Sequence, residues 1–154
     1  MPATIGAPAP DFTLPDQDRT PVSLGDLRGR AALIVFIPFP FTGMCSDELC
    51  TLRDNLSALN ELDAAVVAVT CDTPFANAEW SRQNGFGFPV LSDFWPHGAT
   101  ARTYGAFEER TGSANRTTFV LDADGVVREI IASGSLGTPR EYAEYVAAVE
   151  RLES

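Results

Sequence analysis

"AALIVFIPFPFTGMCSDELC", residues 31–50, decides how the fold is read. Its first seven residues form a continuous apolar run rich in branched side chains, as expected of a strand covered on both faces. Pro38 ends that run, a short loop leads to Gly43 or Met44, and a helix is expected to begin near Cys45 or Ser46. Cys45 is thereby placed in the first turn of a helix, at the carboxyl edge of a parallel sheet. Backbone N–H groups left free at a helix start favour an anion, so a thiolate is stabilised at such a point. Sheets of this kind also bind their ligands at that edge.

Working outward, "AAVVAVT" (64–70) repeats the pattern of a buried central strand, and "TTFVLDADGVVREIIA" (117–132) reads as two strands joined at Asp124-Gly125, a strong hairpin signal. Three helices fill the gaps. Ser46 to Leu62 carries Leu49, Leu52, Leu56 and Leu59 as one apolar stripe. Pro74 to Asn84 opens with proline near a helix start and closes on Gly85. Pro139 to Leu152 is amphipathic, with Tyr142, Val146 and Val149 on one side. The expected fold is α/β, a central mixed sheet flanked by helices.

A chain of 154 residues, 45% hydrophobic and 21% charged, reads as one globular domain over its whole length, 1–154, able to bury a core without disulfide staples. Eleven basic residues against 21 acidic ones leave a net charge of −10, and the acidic residues are spread along the chain. Nucleic acid and anionic membrane are therefore not the expected partners. The first residues show no basic start followed by an apolar core, which points to the cytoplasm. In that reducing compartment an odd count of three cysteines argues for free thiols and redox chemistry. Three cysteines and one histidine at these spacings match none of the usual zinc patterns, and no Cys-x-x-Cys is present.

Pro38, Thr42 and Cys45 reproduce the Pro-x-x-x-Thr-x-x-Cys motif of peroxiredoxins, and Arg116 in "ANRTTFVLD" stands where that family carries its catalytic arginine. The resemblance extends from "GAPAPDFTLPDQD" through "FPVLSDFWPHG" and "YGAF" to the hairpin, and "SDFWPHG" is especially similar to the alkyl hydroperoxide reductase E subgroup. It implies a thioredoxin-like fold and a thiol-dependent peroxidase that needs no bound cofactor or metal. In such an enzyme the thiolate attacks the peroxide O–O bond in line, leaving a sulfenic acid and releasing an alcohol or water. The resemblance assigns Thr42, Arg116 and the backbone N–H groups near Met44 and Cys45 to holding the peroxide oxygens, and Pro38 to shielding the sulfenate.

Magnitudes rank these effects. Lowering a cysteine pKa by about two units raises the thiolate fraction at pH 7 roughly 25-fold but costs roughly eightfold in nucleophilicity, a net gain of about threefold. Donors that stabilise the transition state must supply the larger share.

Cys50 departs from the one-cysteine pattern that "SDFWPHG" suggests. A cysteine five residues after the reactive one resembles the bacterioferritin-comigratory (Q-type) peroxiredoxins, in which the second thiol closes an internal disulfide. In an intact helix the two Cα atoms would stand roughly 8.6 Å apart on divergent faces. A disulfide needs about 4.4 to 6.8 Å, so the helix would have to unwind. The alternative is that Cys50 packs beside Leu49 and Leu52 in a one-cysteine peroxidase. Cys71, after the second strand, reads mainly as a buried small residue. Glu48 either orients an arginine or lies solvated, and His97 packs or caps. Phe39, Phe41, Met44, Phe94 and Trp95 form either an apolar collar for organic hydroperoxides or packing in the core or a dimer.

The expected partners are a hydroperoxide substrate and a thiol reductant, whether thioredoxin-like, mycoredoxin-like or a small thiol. By resemblance the chain forms a homodimer. A redox sensor that passes oxidation from Cys45 to another protein, and an interaction module without useful turnover, are the readings from other classes.

Overall fold

The computed structural model describes residues 2–152. Five strands form the main sheet: β3 (Ala31–Phe36), β4 (Ala64–Thr70), β5 (Val90–Ser92), β8 (Thr117–Leu121) and β9 (Val127–Ala132), in the spatial order β5-β4-β3-β8-β9. β3, β4 and β5 run parallel, whereas β8 is antiparallel to β3 and β9 is antiparallel to β8. Two small antiparallel pairs complete the strands: β1 (Thr13–Pro15) with β2 (Pro21–Ser23), and β6 (Phe107–Glu108) with β7 (Ser113–Ala114). The helices are α1 (Gly43–Asp54), α2 (Leu56–Glu61), α3 (Pro74–Asn84), α4 (Ala99–Tyr104) and α5 (Tyr142–Leu152).

Both faces of β3 are buried, and alternate residues feed two separate cores. Leu33, Val35 and Ile37 meet Leu49 and Leu52 of α1, Leu59 of α2, Trp80 of α3 and Tyr145, Ala148 and Val149 of α5. Ala32, Ile34 and Phe36 meet Phe12 and Leu14, a 3-10 turn at Leu24–Leu27, and Ala101 and Tyr104 of α4. Each fully buried branched or aromatic side chain contributes about 1.5 to 3 kcal/mol, so a strand buried on both sides anchors both layers.

The mixed sheet and the central strands match the sequence reading. The hairpin does too, with Gly125 at φ 80 in its turn. Pro74 opens α3 behind a Thr73 cap, and Gly85 closes it in the left-handed region.

Three boundaries differ. The stripe expected to run from Ser46 to Leu62 as one helix is broken at Asn55 (φ −112, ψ 12), which ends α1 and starts α2. α1 begins at Gly43, with Thr42 at its N-cap position, two residues before the expected Cys45 start. α5 begins at Tyr142 and not at Pro139, because the Arg140 backbone N–H donates to Glu48 Oε2 at 2.8 Å and its guanidinium grips the same carboxylate. The face that α5 buries is also rotated, with Tyr145, Ala148 and Val149 inside and Val146 half-buried. Among the described residues, no helix is long and apolar enough to cross a membrane.

Candidate active site

The topology alone brings two distant segments together. β3 and β8 are antiparallel, so the residues after β3 and those before β8 emerge at the same edge of the sheet. Pro38, buried, follows β3, and Arg116, 5% exposed, immediately precedes β8.

From Pro38 the chain turns sharply. Phe41 adopts φ 67, a left-handed conformation that costs a non-glycine residue of order 1–3 kcal/mol. Its exposed ring lies 6.3 Å from that of Trp80. Thr42 follows at the N-cap, but its hydroxyl does not cap the helix; Oγ1 donates to Phe39 O at 2.7 Å. Its lone pairs therefore remain available as acceptors on an exposed side chain.

The first helical bond of α1 runs from Ser46 N to Thr42 O at 2.9 Å. The N–H groups of Gly43, Met44 and Cys45 precede it and have no helical partner. Cys45 is the third residue of α1 and fully buried, packed with Leu33, Val35, Ile37 and Leu49. Trp80 Nε1 donates to Ser46 Oγ at 3.0 Å and holds this first turn against α3.

One turn further along, Glu48 organises the charges. Arg116 Nη1 donates to its Oε1 at 2.5 Å, while Arg116 Nε donates to Leu136 O at 2.6 Å. Arg140 donates from Nε to Oε2 and from Nη2 to Oε1, both at 3.0 Å. Arg140 Nη1 reaches Thr118 Oγ1 at 3.1 Å, and that hydroxyl shares a 2.9 Å hydrogen bond with Tyr145 Oη. Burial pushes the Glu48 carboxyl up, but the hydrogen bonds and charge of Arg140, with the charge of Arg116, outweigh it. The net effect lowers its pKa below the ordinary 4.5. Removing one partner from so buried a set costs about 3–5 kcal/mol, because a charge is left without compensation.

Of the two readings of Glu48, the structure selects the one that orients arginines. Arg140 escaped the sequence reading entirely. It sits in a segment taken for the first turn of a helix, and nothing in the local pattern marks it; only the carboxylate across the fold does.

The other cysteines diverge. Cys50 is half-buried on the same helix, its Sγ donating to Asn84 Oδ1 at 3.7 Å. With α1 continuous from Gly43 to Asp54, Cys45 and Cys50 stand in the helical relation that holds them apart. Cys71 belongs to the opposite core, where burial, reinforced by the negative charge of Asp93, pushes its thiol up to about 12. His97 Nε2 pairs with Gly112 O at 2.7 Å, and its ring meets Phe94 and Phe107 edge-on. Phe39, Phe41, Phe94 and Trp95 are all exposed, which removes core packing from the roles open to them. A cleft of about 500 Å³ runs between α1 and the start of α5, lined by Met44, Glu48, Leu52, Arg140, Tyr142 and Tyr145.

Fold and edge together define a peroxiredoxin, a thiol-dependent peroxidase on a thioredoxin-like scaffold. The chain belongs to the AhpC/TSA family, whose profile matches residues 5–130. It is 45% identical over 148 residues to alkyl hydroperoxide reductase E of Mycobacterium tuberculosis, covering 94% of this chain and 97% of that one. Chicken (Gallus gallus) peroxiredoxin-1 is 31% identical over 139 residues, 83% of this chain and 69% of its own. Among solved structures, Mycobacterium tuberculosis peroxidoxin BcpB superposes with a TM-score of 0.85 at 30% identity, covering 98% of this chain and 97% of that chain. Enterococcus faecalis AhpC superposes at 0.89 and 26% identity, covering 98% and 93%.

Proposed function

We propose that Cys45 is the nucleophile of this thiol-dependent peroxidase, and that Cys50 resolves its oxidised form. The observation that carries the reading is Glu48, one turn after Cys45, gripping Arg116 across the sheet edge in a buried ion pair. The pair ties a guanidinium to the helix that bears the thiol.

The Cys45 thiolate attacks one peroxide oxygen in line with the O–O bond. An S–O bond forms, the O–O bond breaks, and the departing alkoxide or hydroxide takes a proton to leave as alcohol or water. Each donor has a place in that step. Thr42 Oγ1, its own proton committed to Phe39 O, accepts the peroxide O–H. Arg116, with Nε and Nη1 engaged, keeps a fixed plane and offers Nη2 to the oxygen on which charge develops. The unpaired N–H groups at the start of α1 add to that field, and buried Pro38 walls the sulfenate off from water.

Resolution requires the first turns of α1 to unwind, after which an external thiol, protein or small, reduces the disulfide. The exposed aromatics Phe39, Phe41, Phe94 and Trp95 serve a homodimer interface beside the site, and the cytoplasm supplies the reductant.

Mass spectrometry after one equivalent of peroxide tests the assignment. A Cys45–Cys50 disulfide is expected, absent in Cys50→Ser, where the sulfenic acid on Cys45 persists. A stable sulfenic acid in the unmodified protein would instead make this a one-cysteine peroxidase. Sedimentation of the reduced protein as a monomer at micromolar concentration would remove the dimer.

A further inference from the structure

Three contacts converge on Asn84, the last residue of α3, and two of them come from α1. Cys50 Sγ donates to its Oδ1 at 3.7 Å, and Arg53 Nη1 donates to its backbone oxygen at 2.5 Å. The side-chain amide is itself oriented, with Nδ2 donating to Trp80 O at 2.9 Å, which leaves Oδ1 turned toward the thiol. Gly85 then ends the helix at φ 64, holding Asn84 at a fixed terminus.

We propose that Asn84 is a latch for the resolving thiol: it pins Cys50 to α3 while α1 is folded, and its release sets the rate of disulfide closure. The inference rests on the reading that Cys50 resolves Cys45. Asn84 acts through Cys50 and touches no peroxide, so it is a positioning residue.

The step it governs is balanced within the chain. The Cys50 thiolate attacks the sulfur of the Cys45 sulfenic acid, the S–S bond forms and the S–O bond breaks. Hydroxide leaves and, with the proton that Cys50 gave up, becomes water. Cys50 is oxidised and Cys45 reduced by one electron equivalent each. Before this, Cys50 must let go of Asn84 and the helix between the two cysteines must open. While the latch holds, the sulfenic acid stays exposed to a second peroxide, whose attack yields the sulfinic acid. The latch therefore decides how much peroxide the enzyme tolerates.

Two substitutions separate a latch from mere support of α3. Asn84→Ala and Asn84→Asp both delete the amide donor to Trp80 O, but only the aspartate keeps an acceptor facing Sγ. Rapid quenching after one equivalent of peroxide, with sulfenic acid and disulfide counted by mass, reads closure directly. Trp80, fully buried and bonded to Ser46, gives a parallel fluorescence signal as α1 opens.

Asn84→Ala is expected to speed closure about twofold to fivefold, the worth of one weak S–H···O hydrogen bond. Asn84→Asp is expected to slow it and to move its pH profile upward, since a carboxylate beside Cys50 disfavours the thiolate. With excess peroxide, the alanine variant should accumulate less sulfinic acid and the aspartate variant more. Both should keep the wild-type rate of Cys45 oxidation. Closure rates that move together in the two variants, or do not move, overturn the latch while leaving Cys50 as the resolving thiol. No Cys45–Cys50 disulfide in the unmodified protein overturns the resolving reading, and the latch with it.

Discussion

The two layers on either side of the sheet each bury a cysteine and a carboxylate, and they treat the two carboxylates in opposite ways. On the α1 side, Cys45 stands in the first turn of a twelve-residue helix, and Glu48 is paired with two arginines that hold its pKa down. On the α4 side, Cys71 follows the end of β4 with its thiol pushed up to about 12. Asp93 there accepts hydrogen bonds from Thr100 N at 3.0 Å and Ala101 N at 2.8 Å, yet burial outweighs them and its pKa is raised above 3.8. Residue type and depth are similar in both layers. What differs is the direct grip of two guanidinium groups on Glu48, against backbone N–H groups and the Thr100 side chain at Asp93. The ionisation of the two carboxylates follows from what faces each of them, not from how deeply it lies.

The largest expected contrast is between the cysteines themselves. Cys45→Ser should abolish peroxidase activity, while Cys71→Ser should leave kcat/KM near wild type in a peroxide-consumption assay. Equal losses in both variants would dissolve the distinction between the layers. Next comes Arg116→Ala, expected to slow peroxide reduction by roughly 100-fold or more, about 2.7 kcal/mol or above, with far less change in thiol ionisation. An unaltered rate by stopped flow would take Arg116 out of the site. Glu48→Gln is expected to cost about tenfold, about 1.4 kcal/mol, because both guanidinium groups stay but lose the charge that orients them.

The smallest effect is in pH. Glu48 has a lower pKa folded than unfolded, so its stabilisation is complete above about pH 4.5, its ordinary value, and is lost as pH falls through the lower folded pKa. Asp93 works in the opposite sense: its ionised form costs stability, and that cost disappears as it is protonated. Melting temperatures of wild type and Glu48→Gln should differ near neutrality and converge in acid. A gap that widens below pH 4.5 would contradict the pairing.

Much of the fold was legible because buried strands leave unbroken apolar runs, as in residues 31–37 and 64–70. Pro74 and Gly85 mark the ends of α3 for reasons of backbone geometry alone. The break at Asn55 was hidden by a leucine stripe whose period passes straight through it. Only the asparagine hints at it, by a side chain that bonds the backbone: Nδ2 donates to Thr51 O at 2.8 Å. The motif residues Pro38, Thr42 and Cys45 were readable because they cluster within eight positions, and Arg116 through its place before a strand. Arg140 and Tyr145 were not, since their burial is decided by Glu48 and Thr118, distant in sequence. Periodicity registers neighbours along the chain and is blind to a partner 92 positions away.

The interruption at Asn55 also has a mechanical consequence. A single long helix from Gly43 to Glu61 would transmit any unravelling at its start along its whole length. Two helices jointed at Asn55 do not, because α2 has its own first bond, Leu59 N to Asn55 O at 3.2 Å, and its own anchor in fully buried Leu59. In the proposed resolution by Cys50 the joint works as a firebreak, and the opening that disulfide closure requires is expected to end before it reaches Leu59. In hydrogen exchange on the oxidised protein, amides of residues 46–50 should lose protection while that of Leu59 keeps it.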